Sequence, residues 1–187
     1  MKRHEALQPL SRDHYVGLTL AMRLIRGKPE NLKSNWPPNN NLKLQAQQAI
    51  QIFEKDLYDH FKEEKNILFD KAKSFLQENE GKGFLERVLK QHDEFYKLFQ
   101  ELDQGSEDII KERLVYTGEF QELDQGSEDI IKERLVYTGE LLDNHVRIEE
   151  RDLFPAIENF TPVSLNEFLE LICVMNLKTV DHSPIMQ

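Results

Sequence analysis

The sequence predicts an all-α fold, an antiparallel up-down-up-down four-helix bundle with a short extra C-terminal helix. Three observations predict it. Apolar residues recur at three- and four-residue spacing along four long stretches. Clusters of Gly, Pro and Asn separate some of those stretches. And one phrase is written twice at balanced spacing: His60-Phe61-Lys62-Glu63-Glu64 leading to Leu68-Phe69, and His145-Val146-Arg147-Ile148-Glu149 leading to Leu153-Phe154. On a helix, residues i and i+4 share a face. Each phrase therefore aims an imidazole and a carboxylate at one point from successive turns.

The first helix begins near Ser11, a good N-cap after Pro9-Leu10. Its inner face reads His14, Leu18, Ala21 and Ile25, and Gly27 closes it. Residues 28–41 form a loop in which Trp36 covers the bundle end. The second helix runs over about 42–79, with Ile50, Phe53, Leu57, His60, Glu64 and Leu68 on one stripe, and Gly81-Lys82-Gly83 ends it. The third turns Leu85, Val88, His92, Phe95, Tyr96 and Phe99 inward. The fourth carries Leu141, His145, Glu149 and Leu153, and stops at Pro155 or a little beyond. A capping box, Ser164 to Glu167, starts a short fifth helix to about Leu177. The bundle occupies 1–178, and 179–187 is a flexible tail.

Residues 99–119 recur without a change at 120–140. Identity over 21 residues marks a recent insertion rather than an old, drifted repeat. Spacing agrees: His60 to His92 is 32 residues, His92 to His145 is 53, and 53 less 21 is again 32. If both copies stay helical, Thr117-Gly118 makes the turn and the third and fourth helices lengthen by about 10 residues each, about 15 Å. Gly105 and Gly126 then lie inside helices at about 1 kcal/mol each. The alternative is one copy looped out. The insert is about 5.8 helical turns, so the facing side of the fourth helix is kept. A lengthened tip exposes Ile109, Ile110 and Leu114 or their repeats and favours a homodimer.

Bulk properties exclude several classes. At 187 residues, 39% hydrophobic and 31% charged, the chain suits one soluble domain. A net charge of −10 argues against nucleic acid, which needs a basic face. The lone Cys173, in an apolar stretch, excludes an internal disulfide and a Cys-based metal site. No apolar run approaches the ~20 residues of a membrane span. No apolar signal-type segment opens the chain. A cytoplasmic setting is the expectation.

Six side chains converge if four helices pack together: His14, His60, Glu64, His92, His145 and Glu149. Imidazole with carboxylate suits iron, manganese or zinc. Neither glutamate has a basic partner one turn away on the inner face, so a cation is the natural compensation for burying it. The glutamates, from opposite helices, can bridge two metals and leave two His for each. Asp13, Asp59 and Asp93 adjoin ligand His and face solvent, though one can support an imidazole. Glu63 and Glu150 point about 100° from the site and are expected on solvated faces. His4 and His182 are not expected to ligate. Ferritin-like bundles use Glu-x-x-His, but Leu57, Leu89 and Leu142 stand three residues before His60, His92 and His145.

At these residues the chain resembles the hemerythrin-like HHE cation-binding family. The matches are RHEALQPLSRDH, DHFKEEKNILF, QHDEF and NHVRIEERDLFP, over roughly 3–158 apart from the insert. The resemblance implies a non-haem di-iron centre in an up-down-up-down bundle. Small diatomic ligands, dioxygen or nitric oxide, or peroxide are the implied partners, with any signalling passing to a separate, unknown protein. Oxygen carriers of the family have a second His one turn along the third helix, where this chain has Tyr96. The site resembles the four-His, two-Glu variant, which argues against simple reversible oxygen carriage. Tyr96 is a candidate for the ligand pocket. Two other readings stay open: an iron buffer, storage or iron-centre repair protein, and a structural bundle with a zinc-filled or degenerate site.

Overall fold

The computed structural model describes residues 3–27, 35–76, 80–116 and 125–159. Among these the chain is all-helical, with four helices and no strand. A short 3-10 turn, Glu5–Leu7, leads into α1, Gln8–Arg26. Helix α2 covers 42–75, α3 is Glu80–Tyr116, and α4 covers 125–158. The expected fifth helix and the tail lie outside the described residues.

Several boundaries differ from the sequence reading, each for a local reason. α1 starts at Gln8, because Pro9 at the first turn has no N–H to leave unpaired and its φ is already helical. Its buried face is Leu10, His14, Gly17, Leu20, Ala21 and Leu24, so Leu18 is only partly buried and Ile25 is exposed. Gly27 ends α1 with φ +69°, and its N–H donates to the Arg23 carbonyl. Asn41 caps α2 by accepting from the Leu44 N–H. Gly81 and Gly83 lie in the first turn of α3, not in a terminator of α2. Leu142, not Leu141, is the fully buried member of that pair in α4. α4, by contrast, stops at Glu158, a little beyond Pro155 as expected.

Three π-turns were not foreseen: Phe53–Leu57 and Glu64–Leu68 in α2, and Glu149–Leu153 in α4. In the last two the glutamate of the repeated phrase is the first residue, and its carbonyl accepts from Phe69 N–H or Phe154 N–H. A turn bonded i→i+5 needs about 4.4 residues, so the residues four and five beyond the Glu both stay near its face. Leu68, Phe69, Leu153 and Phe154 are accordingly all buried. The Leu-Phe pair of each phrase records the π-turn.

The core has two apolar layers. One gathers Leu7, Leu10, Phe69, Leu85, Val88, Leu153 and Phe154. The other gathers Leu20, Leu24, Trp36, Phe53, Leu57, Phe61, Phe95, Phe99, Leu135 and Val146. Trp36 is buried there, with the Arg23 guanidinium 5.6 Å from its ring. The polar residues described next lie between the layers. His92, for example, falls between Val88 of one and Phe95 of the other.

Described residues of both copies enter the core. Phe99 and Leu102 of the first copy are buried from α3, and Ile131, Leu135 and Thr138 of the second are buried from α4. Gly105 and Gly126 both lie in helical stretches, and the turn expected at Thr117-Gly118 falls outside the described residues. Removing 21 residues anywhere within the repeat gives one and the same shorter chain, which keeps all five of these core positions. That variant is expected to bind as much metal per chain as the full-length protein. Metal analysis of the two side by side checks this, and a loss of metal in the shorter form would contradict it.

Candidate metal centre

The structure brings His14 from α1, His60 and Glu64 from α2, His92 from α3, and His145 and Glu149 from α4 into one buried cluster. All six are at most 3% exposed. They form two overlapping sets, His14, His60, Glu64 and Glu149, and His92, His145, Glu64 and Glu149. Within each set the donor atoms lie within 4.8 Å of one another, and both glutamates belong to both sets.

Every histidine directs Nε2 inward. Glu64 Oε1 is 3.2 Å from His60 Nε2 and 3.6 Å from His14 Nε2, and its Oε2 is 3.3 Å from His92 Nε2. Glu149 Oε2 is 2.9 Å from His14 Nε2 and 3.3 Å from His145 Nε2. His92 Nε2 and His145 Nε2 stand 3.3 Å apart. Two donors about 2.0–2.2 Å from one divalent ion stand about 3.0–3.5 Å apart, so this spacing is that of adjacent corners of a coordination shell. His14 Nε2, His60 Nε2 and all four oxygens of Glu64 and Glu149 are buried without a well-formed hydrogen bond. Buried polar groups are almost always paired, and a cation would satisfy all of these at once. Each of the two sets fits a metal ion.

Electrostatics agree. Burial opposes charge on His14, but Glu149, Glu150 and Glu64 outweigh it and push its pKa up to about 12. Burial likewise opposes charge on His60, and Glu64 and Asp13 raise it. Burial works against ionisation of Glu64, yet His60, His14 and His92 hold it well below the usual carboxylate range. Burial and the neighbouring Glu64 push Glu149 up. Burial and His92 push His145 well down, leaving it neutral and ready to donate a lone pair. Protons on His14 thus balance the carboxylates in the metal-free protein, and metal uptake displaces them.

The outer nitrogens were only partly foreseen. Glu150, expected in solvent, sits with Oε1 2.7 Å from His14 Nδ1. It points away from the cluster within α4, as the 100° offset requires, but α1 fills that side. Arg3 pins it, with Nη2 2.6 Å from Glu150 Oε2 and 2.7 Å from the Glu150 carbonyl, and Nη1 2.9 Å from Glu158 Oε2. The same guanidinium lies 5.2 Å from the Phe154 ring, on which His14 stacks. His4 N–H donates to Glu158 Oε1, so this histidine belongs to the strap over α4. His60 Nδ1 is 3.5 Å from Asp13 Oδ2, the nearest of the three aspartates to an imidazole but without a well-formed hydrogen bond. Asp59 and Asp93 are exposed, and Asp93 pairs with Lys65. Gln91 Oε1 is 3.3 Å from His145 Nδ1. Glu63 stays outside the cluster and is half-buried. Tyr96 packs edge-on against Phe53 and Tyr58, at 6.0 and 5.9 Å. No spacing signal marks Arg3 or Gln91, because both act across helices.

The model of the hemerythrin HHE cation-binding domain matches residues 10–157. The chain belongs to that family. The hemerythrin match takes in all six clustered residues and stops short of Arg3. Comparisons with curated proteins and with solved structures found no match. Among the described residues no helix is long and apolar enough to cross a membrane.

The His14–Glu150 pair gives the metal-free protein a definite pH response. Burial alone would raise the Glu150 pKa, but His14 and Arg3 bring it down to about 2. A carboxyl with a depressed folded pKa stabilises above its unfolded value of about 4.3, and that stability fades as pH falls towards 2. An imidazole raised to about 12 stabilises below its unfolded value of about 6.5 and loses this as pH rises. The pair therefore contributes fully only between about pH 4.3 and 6.5. Urea midpoints in excess chelator should show the native chain's advantage over Glu150→Gln largest there and shrinking on both sides. A difference independent of pH would contradict the assignment.

Proposed function

We propose that this protein is a non-haem di-iron protein of hemerythrin type that binds, senses or reacts with dioxygen, nitric oxide or peroxide in a cytoplasmic setting. The observation that carries the reading is the sharing of Glu64 and Glu149 between two four-donor sets. Shared carboxylates are bridges, and bridges imply two ions side by side. His14 and His60 would complete one ion, and His92 and His145 the other. Four protein donors leave open positions on each for a small ligand. Imidazole and carboxylate together suit iron, with manganese and zinc as competitors.

An antiparallel up-down-up-down bundle is part of the proposal. Gly17 faces Leu57 and Val146 while His14 meets Glu64 and Glu149, so numbers fall along α2 and α4 as they rise along α1. Phe53 stacks on Phe99 while Phe61 stacks on Phe95, which sets α2 against α3.

Bound iron would supply the electrons and the binding position for the small ligand. The chain's residues set the conditions. Glu64 and Glu149 neutralise cationic charge, the apolar layers exclude water, and Glu150 fixes the His14 ring through Nδ1. Tyr96, one turn beyond His92, borders the pocket in this reading. The test is an optical spectrum of ferrous-loaded protein before and after air. Ligand-to-metal absorption that appears with oxygen and shifts with azide or reductant is expected. A spectrum that stays featureless while chelator strips the metal would favour a buffer instead.

A further inference from the structure

The two donor sets differ in what stands behind them. At His14, Nδ1 meets the Glu150 carboxylate at 2.7 Å, and Arg3 holds that carboxylate from the other side. At His60, Nδ1 lies 3.5 Å from the Asp13 carboxylate without a well-formed hydrogen bond. At His145, Nδ1 faces an amide, the Gln91 oxygen, whose orientation is fixed by Gln91 Nε2 donating to Asn144 Oδ1 at 2.9 Å. At His92, Nδ1 is buried and has no hydrogen bond. One set thus has a carboxylate hydrogen-bonded behind it, with a second 3.5 Å away, and the other has one neutral amide.

A carboxylate accepting from Nδ1–H pushes electron density through the ring to Nε2. It also locks the tautomer that leaves Nε2 free to ligate. An amide does this weakly, and an imidazole without a partner does not do it at all. The bridging glutamates are common to both sets and cancel from the comparison.

We propose that the two cation positions are unequal, the one between His14 and His60 being filled first and held more tightly, with Glu150 and Gln91 as the positioning residues that set the difference. This rests on the two-cation reading above. Arg3 itself lies outside the region that the family model matches.

Cobalt(II) titration against a competing chelator tests it, read by visible absorption and by stoichiometry. The native protein should load in two resolved steps. Glu150→Gln keeps the shape of the side chain and removes its charge. It should weaken the first step by about 10–100-fold while leaving the second within about threefold. Gln91→Glu should do the opposite, tightening the second step and narrowing the gap. A damaged fold would weaken both steps together, so step selectivity separates positioning from simple stability. Two equal steps in the native protein, or an equal loss of both in Glu150→Gln, would overturn this inference and leave the two-cation reading standing. Failure of the native protein to bind any cobalt would overturn both.

Discussion

Glu64→Ala should strip both cations, whereas His92→Ala should strip one. Glu64 divides its oxygens between the sets: Oε1 faces His60 and His14, and Oε2 faces His92. His92 touches only its own set. Outer-shell partners alter metal affinity by about 10–100-fold, so losing a shared ligand should exceed ~100-fold at both positions. The metal-free fold should suffer too. Glu64 is fully buried and held ionised among imidazoles, and breaking such a pair costs about 3–5 kcal/mol. Glu64→Gln keeps the volume and separates the two effects. Metal content, paired with a urea melt of each variant, reads the outcome. Retention of one full equivalent in Glu64→Ala would mean that the carboxylate is not a bridge.

Gly139→Ala and Gly17→Ala should act in opposite directions, although both glycines are buried within helices. A methyl on Gly139 would stand 2.9 Å from the Ala21 carbonyl oxygen, from Leu24 Cβ and from Ile25 Cγ1. The first is backbone and cannot rotate away, so α1 and α4 must part. Overpacking of this kind costs about 1–3 kcal/mol, more than the ~1 kcal/mol that Ala gains over Gly in a helix. On Gly17 the nearest atom would be Val146 Cγ2 at 3.6 Å, an ordinary contact. Only the helix gain of up to ~1 kcal/mol then applies. Urea midpoints should therefore fall for Gly139→Ala and rise for Gly17→Ala. Parting α1 from α4 also pulls His14 from Glu149, so the first variant should bind metal more weakly. A stabilised Gly139→Ala would show that the two helices do not pack as closely as described.

The helices and the six clustered residues were legible because both rest on periodicity. His-x3-Glu is a one-turn pattern, and its recurrence with the same Leu-Phe ending left few places for the residues to go. The π-turns were not legible, although the Leu-Phe pair is their trace: a run of apolar residues does not reveal whether both face inward. α1 was misjudged at its start and by part of its face, because Ser11 looked a better cap than a chain already helical at Pro9. Glu150 was misplaced because a single helix shows only its own angular offset. What covers the far side, here His14 and Arg3, is a property of the assembled bundle. Gln91 escaped for the same reason.

On the proposed reading, four imidazoles and two shared carboxylates hold a pair of ions. Iron and protein quantified on one sample, loaded with ferrous ion without air and freed of excess by desalting, test it most directly. Two irons per chain are expected, and a value of one or below would rule out the pair.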